Sequence, residues 1–191
     1  MTTGDKAKAL VFYHEAYNYI VSAGLNPEIE YTRQLSFDDT GDDHFLMEYA
    51  FVVISSGMKN QVAQRIFSRF NKALDPSVIG HLGKRQAIVR AIKEHREWLA
   101  QLRVAPDKLA YLETLPWIGP ITKYHLARNI GLDFVKPDRH LVRVAKAFGY
   151  PDPHIMCGEL SKEVGERIGV VDVILWRYCN LKGTKDLEDY T

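Results

Sequence analysis

A chain of 191 residues, 46% apolar and 26% charged with net charge +1, has the make-up of a globular protein and can bury one good core or two lobes sharing a cleft. No apolar run approaches the roughly 20 residues that cross a bilayer, and the first residues, MTTGDKAKAL, lack a secretory pattern. Cys157 and Cys179 are too few for a disulfide framework or a four-cysteine cluster, so a reducing, cytoplasmic compartment is expected.

The segment Lys6–Ala23 carries Leu10, Val11, Tyr13, Ala16, Tyr17, Ile20 and Val21 at a helical period, and Gly24 stops it. Asn26–Thr40 reads as an acidic connector without a sustained period. Asp42–Ser56 begins with acidic residues suited to a helix N-terminus and turns strongly apolar, which predicts a buried helix, although FVVI alone fits a strand. Gly57 breaks it, and Asn60–Leu74 and the basic stretch Lys84–Leu102 follow as helices. A short helix begins at Pro106 with Leu109, Leu112 and Leu115 on one face. Further helices are expected at about Ile121–Asn129, with Gly131 behind as its cap, at Arg139–Phe148 with Leu141, Val142, Ala145 and Phe148 on one side, and at Glu159–Val164 and Val170–Leu181. Pro151 and Pro153 read as a turn, and Gly183–Thr191 as a frayed tail. Many short helices with short connections predict an all-α unit.

Charge is unevenly spread. Glu28, Glu30, Asp38, Asp39, Asp42 and Asp43 face Arg33 alone, whereas from Lys59 to Arg103 ten basic residues face Asp75, Glu94 and Glu97. Single residues of this kind are usually solvated helix faces. Taken as a whole, the asymmetry fits one basic face on a nearly neutral molecule.

Between the two helices flanking it, Leu115-Pro116-Trp117-Ile118-Gly119 forms a Pro/Gly hairpin. Pro116 sets the chain direction, Gly119 allows a tight turn, and the next helix offers free N–H groups and partial positive charge to a phosphate. This pattern resembles the helix-hairpin-helix (HhH-GPD) DNA glycosylase superfamily, whose hairpin usually reads Leu-Pro-Gly-Val/Ile-Gly. The resemblance is strong over Leu112–Phe148 and weaker over Val53–Phe70, where ISSGMKNQVAQRIF is similar to the family's early Leu-Ser-x-Gln helix turn. Trp117 stands where the first glycine is usual and is expected to pack on a DNA sugar or into the core, and Pro120 has no N–H to give. Phosphate contact is then expected from Ile118, Gly119, the amides from Ile121 onward, and Thr122, with Lys123 alongside.

In Lys136-Pro137-Asp138-Arg139-His140-Leu141, Asp138 matches the family's catalytic aspartate. It is equally a good N-cap, and an N-cap favours an ionised carboxylate. An anion suits a sugar that becomes oxocarbenium-like as its base departs. Arg139, His140 and Arg143 follow as phosphate or structural partners. Bifunctional members carry a lysine two residues after the last hairpin glycine, and that position is Ile121 here. Lys123 lies about 200° further round the helix. The resemblance therefore implies a monofunctional glycosylase without an iron–sulfur cluster or other cofactor, apart from a monovalent cation that hairpin carbonyls of this family can bind.

A glycosylase flips its target nucleotide and fills the gap. The resemblance places the filler in the turn Ser56–Asn60, with Met58 as wedge and Lys59 or Asn60 toward the orphan base. An ordinary interhelical turn fits as well. Candidates for the base pocket are Glu48, Tyr49 and Phe51 on the apolar helix and Asp172, Trp176 and Tyr178 near the C-terminus. The expected fold is all-α and two-lobed, with an active-site cleft between the lobes. One lobe, 42–132, carries the hairpin, and the other is built from 1–41 and 133–191 and carries Asp138. The expected partner is double-stranded DNA with a damaged or modified base, bound by a monomer in base excision repair or in defence against phage with modified DNA. A non-catalytic hairpin DNA-binding module, or a glycosylase-fold enzyme that alters bases without releasing them, are the alternatives.

Overall fold

The computed structural model describes residues 4–184 and Leu187. In chain order the helices are α1 (Lys6–Ser22), α2 (Asn26–Gln34), α3 (Asp42–Ser55), α4 (Asn60–Ala73), α5 (Leu82–Val104), α6 (Lys108–Thr114), α7 (Thr122–Asn129), α8 (Arg139–Ala147), α9 (Pro153–Val164) and α10 (Ile168–Lys182), with a 3-10 turn at Pro76–Val78. Among the described residues there is no strand, and no helix is long and apolar enough to cross a membrane. The chain divides into two compact units, Ser36–Gly131 and Met1–Leu35 together with Leu132–Thr191.

In the unit Ser36–Gly131, α3 is the central element. Asp42 and Asp43 sit in its first turn, where negative charge complements the helix N-terminus. Phe45, Leu46, Tyr49, Ala50, Val52, Val53 and Ile54 are buried, so the helix is apolar nearly all round. It packs on α4, α5 and α7, while α6 packs on α5 and α7. The FVVI run is therefore helical. Residues 36–41, placed with the terminal segments by the sequence reading, belong here instead. Thr40 Oγ1 donates to the Ile130 carbonyl (2.8 Å), and Arg103 lies 5.6 Å over the Phe37 ring. Gly131, at φ +85, lets this strand of chain pass closely, since a Cβ there would lie 2.5 Å from Phe37 N.

In the other unit, α10 packs against α1, α2, α8 and α9. The buried stripe of α1 is Ala9, Phe12, Tyr13, Ala16 and Ile20, whereas Val11 and Val21 are exposed. On α8, Leu141, Val144 and Ala145 face the core while Val142 is exposed, a rotation of the expected face. The acidic connector contains the helix α2. Its local signals are Pro27 and Glu28 in the first turn and Arg33 in the last, without a side-chain cap. Long-range pairing holds it: Arg33 bonds Glu166, and Arg177 makes a two-pronged contact with Glu28 (2.7 and 2.6 Å). Helix α9 starts at Pro153 rather than Glu159. Asp152 caps it through His154 N and Ile155 N, and proline is well placed in a first turn. Of the tail expected to fray, Leu187 is buried in this core; residues 185–186 and 188–191 lie outside the described residues.

Candidate nucleic-acid interface and the Asp138 site

The hairpin joins α6 to α7 and is tied down from beneath. Tyr49, fully buried and edge-on to Trp98 (centroids 5.4 Å), donates its hydroxyl to the Pro116 carbonyl at 2.5 Å. Burial raises the pKa of this hydroxyl, which keeps it a donor. The residue offered as a base reader thus sits in the core and holds the hairpin.

Trp117 adopts φ +65, the left-handed region in which the resemblance expects glycine. Its Nε1 donates to Ser56 Oγ (3.1 Å) and its ring lies 4.9 Å from that of His81. Gly83 seats the indole, because a Cβ there would fall 2.5 Å from Trp117 Cζ3. Trp117 is still 43% exposed.

The Ile118 side chain is buried, so only its backbone can face a ligand. The Gly119 amide, expected to be open to phosphate, instead donates to Thr122 Oγ1 at 2.7 Å. A threonine three residues on is well placed to accept such a turn amide. Gly119 O in turn accepts from Lys123 N (3.0 Å). Ile121, where the resemblance expects the lysine of bifunctional members, is half exposed. Lys123 is drawn to Glu113 on α6 (Nζ–Oε2 2.5 Å), and that carboxylate raises its pKa.

The turn after α3 is held by a residue that the sequence reading passed over. Lys84, 5% exposed, donates Nζ to the carbonyls of Ile54 (2.9 Å) and Ser56 (2.6 Å), capping the C-terminus of α3. Burial lowers its pKa. The signal was its register, since Lys84 falls on the stripe Ala87, Ile88, Ala91, Trp98 and Leu102 that faces the core. Beyond it, Met58 is half-buried, and Lys59 and Asn60 are exposed at the start of α4.

Glu48 is half-buried and accepts from Asn129 Nδ2 (2.7 Å), with His44 Nε2 at 3.8 Å from its carboxylate. Desolvation raises its pKa, against the pull of Asn129, His44 and Arg128. Phe51, one turn on, sits edge-on to Phe67 (5.3 Å) and His125 (6.0 Å). The raised value has a measurable consequence. The folded state binds the Glu48 proton more tightly than the unfolded chain, so this contribution to stability is present below the ordinary value of 4.5 and is lost as pH rises through the raised one. Glu48→Gln, uncharged throughout, is expected to gain in Tm relative to wild type as pH rises above 4.5. A Tm difference independent of pH contradicts this.

Asp138 lies in the other unit as the N-cap of α8. Its Oδ1 accepts from His140 N (2.9 Å) and Leu141 N (3.1 Å), and Oδ2 takes part in neither bond. It is half-buried. The preceding loop is fixed by Asp172, fully buried, whose Oδ2 accepts from Lys136 N at 2.5 Å. Asp172 therefore supports the Asp138 loop from within the core. Arg139 and Arg143 are exposed; Arg143 Nη1 reaches Thr184 Oγ1 (3.4 Å). His140 Nδ1 is buried without a partner, and desolvation lowers the pKa of the ring against the pull of Asp138. Trp176 is half-buried beneath the Arg177 guanidinium (4.9 Å), and Tyr178 is buried, its hydroxyl donating to Glu15 (2.5 Å).

Both cysteines are buried. Cys157 is pushed well above its ordinary pKa by burial, and Cys179 up to about 12 by burial and by the Asp138 carboxylate. Neither is a thiolate nucleophile. Among the described residues, no group of three or more His, Cys, Asp or Glu side chains is arranged to hold a metal ion.

No protein-family model and no curated protein sequence matches the chain. Among solved structures it is similar to the crystal structure of Tm1821, the 8-oxoguanine DNA glycosylase of Thermotoga maritima, with TM-score 0.67 and 19% identity, over 90% of this chain and 96% of that one. The chain therefore shares the all-α fold of that structure, with Trp117 in the turn between α6 and α7 and Asp138 at the head of α8.

Proposed function

We propose that the chain is a monofunctional DNA glycosylase acting on a damaged or modified base in double-stranded DNA, with Asp138 as its catalytic residue. The observation that carries this reading is the coincidence of two features in one glycosylase fold: a hairpin joining α6 to α7, and an N-cap aspartate with one carboxylate oxygen outside the capping bonds. The amides of Ile121 and Thr122 and the exposed Arg139 and Arg143 bind backbone phosphates. Met58 fills the space left by the flipped nucleotide, with Lys59 and Asn60 beside it, and Glu48 and Phe51 supply readers for the base.

In the reaction, the C1′–N bond breaks and its electron pair leaves with the base. The Asp138 carboxylate stabilises the oxocarbenium-like sugar. Water then forms the C1′–O bond and gives its proton to the carboxylate. With Ile121 in place of a lysine and Lys123 engaged by Glu113, no amine attacks C1′. The product is an abasic site on an intact strand. In repair, or in defence against phage with modified DNA, the same step marks the lesion for later enzymes.

The prediction is that strands treated with the protein stay intact on a denaturing gel until alkali is added, and that borohydride traps no adduct. Nicking without alkali, together with a trapped covalent complex, contradicts the monofunctional assignment.

A further inference from the structure

The indole of Trp117 bridges two elements to which the proposed function gives separate tasks. One is the hairpin, which grips phosphate; the other is the turn Ser56–Asn60, which carries the wedge. We propose that Trp117 is a positioning residue that staples the hairpin to this turn, so that phosphate binding and insertion of Met58 occur as one movement. The proposal rests on the glycosylase reading.

Three independent features point to it. First, a bulky residue at φ +65 is strained, and such strain persists only where surrounding contacts over-determine it. Second, those contacts all lead toward the turn and the start of α5. Nε1 donates to Ser56 Oγ, which itself donates to the Val53 carbonyl at the end of α3, and the ring rests on His81 and in the space left by Gly83. Third, the turn is held on its other side by Lys84, which grips the Ile54 and Ser56 carbonyls from the core. Ser56 is thus fixed twice, by a buried ammonium and by a surface indole. Only the indole belongs to the hairpin. A glycine at position 117 satisfies the backbone without strain but leaves the hairpin and the turn unconnected.

The test uses the intact protein and three variants: Trp117→Phe, which keeps a ring but loses the Nε1 bond, Ser56→Ala, and the double variant. Trp117→Gly serves as a fourth, because its backbone is compatible with φ +65 and it is expected to fold. Two measurements are made on a duplex carrying 2-aminopurine beside a single mismatch. Fluorescence anisotropy gives affinity, and 2-aminopurine fluorescence reports nucleotide extrusion. Hydrogen exchange of amides 57–60 is followed in the free protein.

The staple predicts extrusion about 5- to 10-fold lower in Trp117→Phe and in Ser56→Ala, affinity changed less than about two-fold, and a double variant no worse than either single one. Exchange at 57–60 rises in all variants. Additive losses, or extrusion that falls only in step with affinity, overturn the proposal, since Trp117 is then an ordinary DNA contact. So does unchanged exchange at the turn. If wild type extrudes and the variants match it, the staple alone fails. If wild type binds no DNA or extrudes nothing, the glycosylase reading fails with it.

Discussion

Asp138→Asn is expected to lower base release roughly 10³-fold while leaving the fold and duplex affinity intact. The substitution separates the two jobs of this side chain. As an N-cap, asparagine is about as good as aspartate, so the bonds from His140 N and Leu141 N to Oδ1 are retained. As an anion it is gone, and the developing charge on the sugar has nothing to face. Removing a negative charge near phosphates strengthens DNA binding slightly if it changes it at all. Asp138→Ala loses release as well and adds a cap penalty of about 1 kcal/mol. The comparison is made by single-turnover release, anisotropy and thermal melts on the same preparations. Release retained within about ten-fold in Asp138→Asn moves the catalytic role elsewhere and favours a binding module.

The second large effect concerns Asp172. Its carboxylate is fully enclosed and takes the Lys136 amide two residues before Asp138. Truncation in Asp172→Ala strands that amide without its acceptor in a low-dielectric setting and costs about 3 kcal/mol. For a chain of this length that corresponds to a drop in Tm of roughly 6–12 °C. Base release should fall too, because the loop leading to Asp138 loses its anchor. Asp172→Asn keeps an acceptor oxygen and should recover most of the stability and of the release. A variant Asp172→Ala that melts within about 2 °C of wild type contradicts the assigned role.

Periodicity and punctuation made much of this molecule legible beforehand. The acidic start and apolar body of α3 read correctly as a buried helix, because a segment apolar on every face has to be central. What failed had physical causes. Helix α2 has no sustained apolar period and no side-chain cap, and its ends are secured by Arg33–Glu166 and Arg177–Glu28, partners more than a hundred residues away. The start of α9 was missed although Asp152-Pro153 is a good cap and first-turn pair, because two nearby prolines suggested a turn.

At the candidate site, residue types were informative and directions were not. Nothing local distinguishes a tyrosine that reads a base from one that donates to Pro116, or an aspartate facing substrate from one facing the Lys136 amide. The sequence leaves the Gly119 amide free because the competing Thr122 hydroxyl becomes an acceptor only once the turn is formed. Trp117 was legible as an oddity. Its meaning came from its φ and from Ser56, His81 and Gly83, residues that no spacing rule connects to it.

Release of a base from DNA by way of Asp138 can be measured directly. The most direct measurement incubates the protein with a panel of duplexes carrying oxidised, alkylated, deaminated or enlarged pyrimidine and purine bases, and analyses both fractions by mass spectrometry. Free base and an equal amount of abasic site are expected from at least one duplex, and neither with Asp138→Asn. No base released from any duplex, or a base chemically altered but still attached to its sugar, contradicts this expectation.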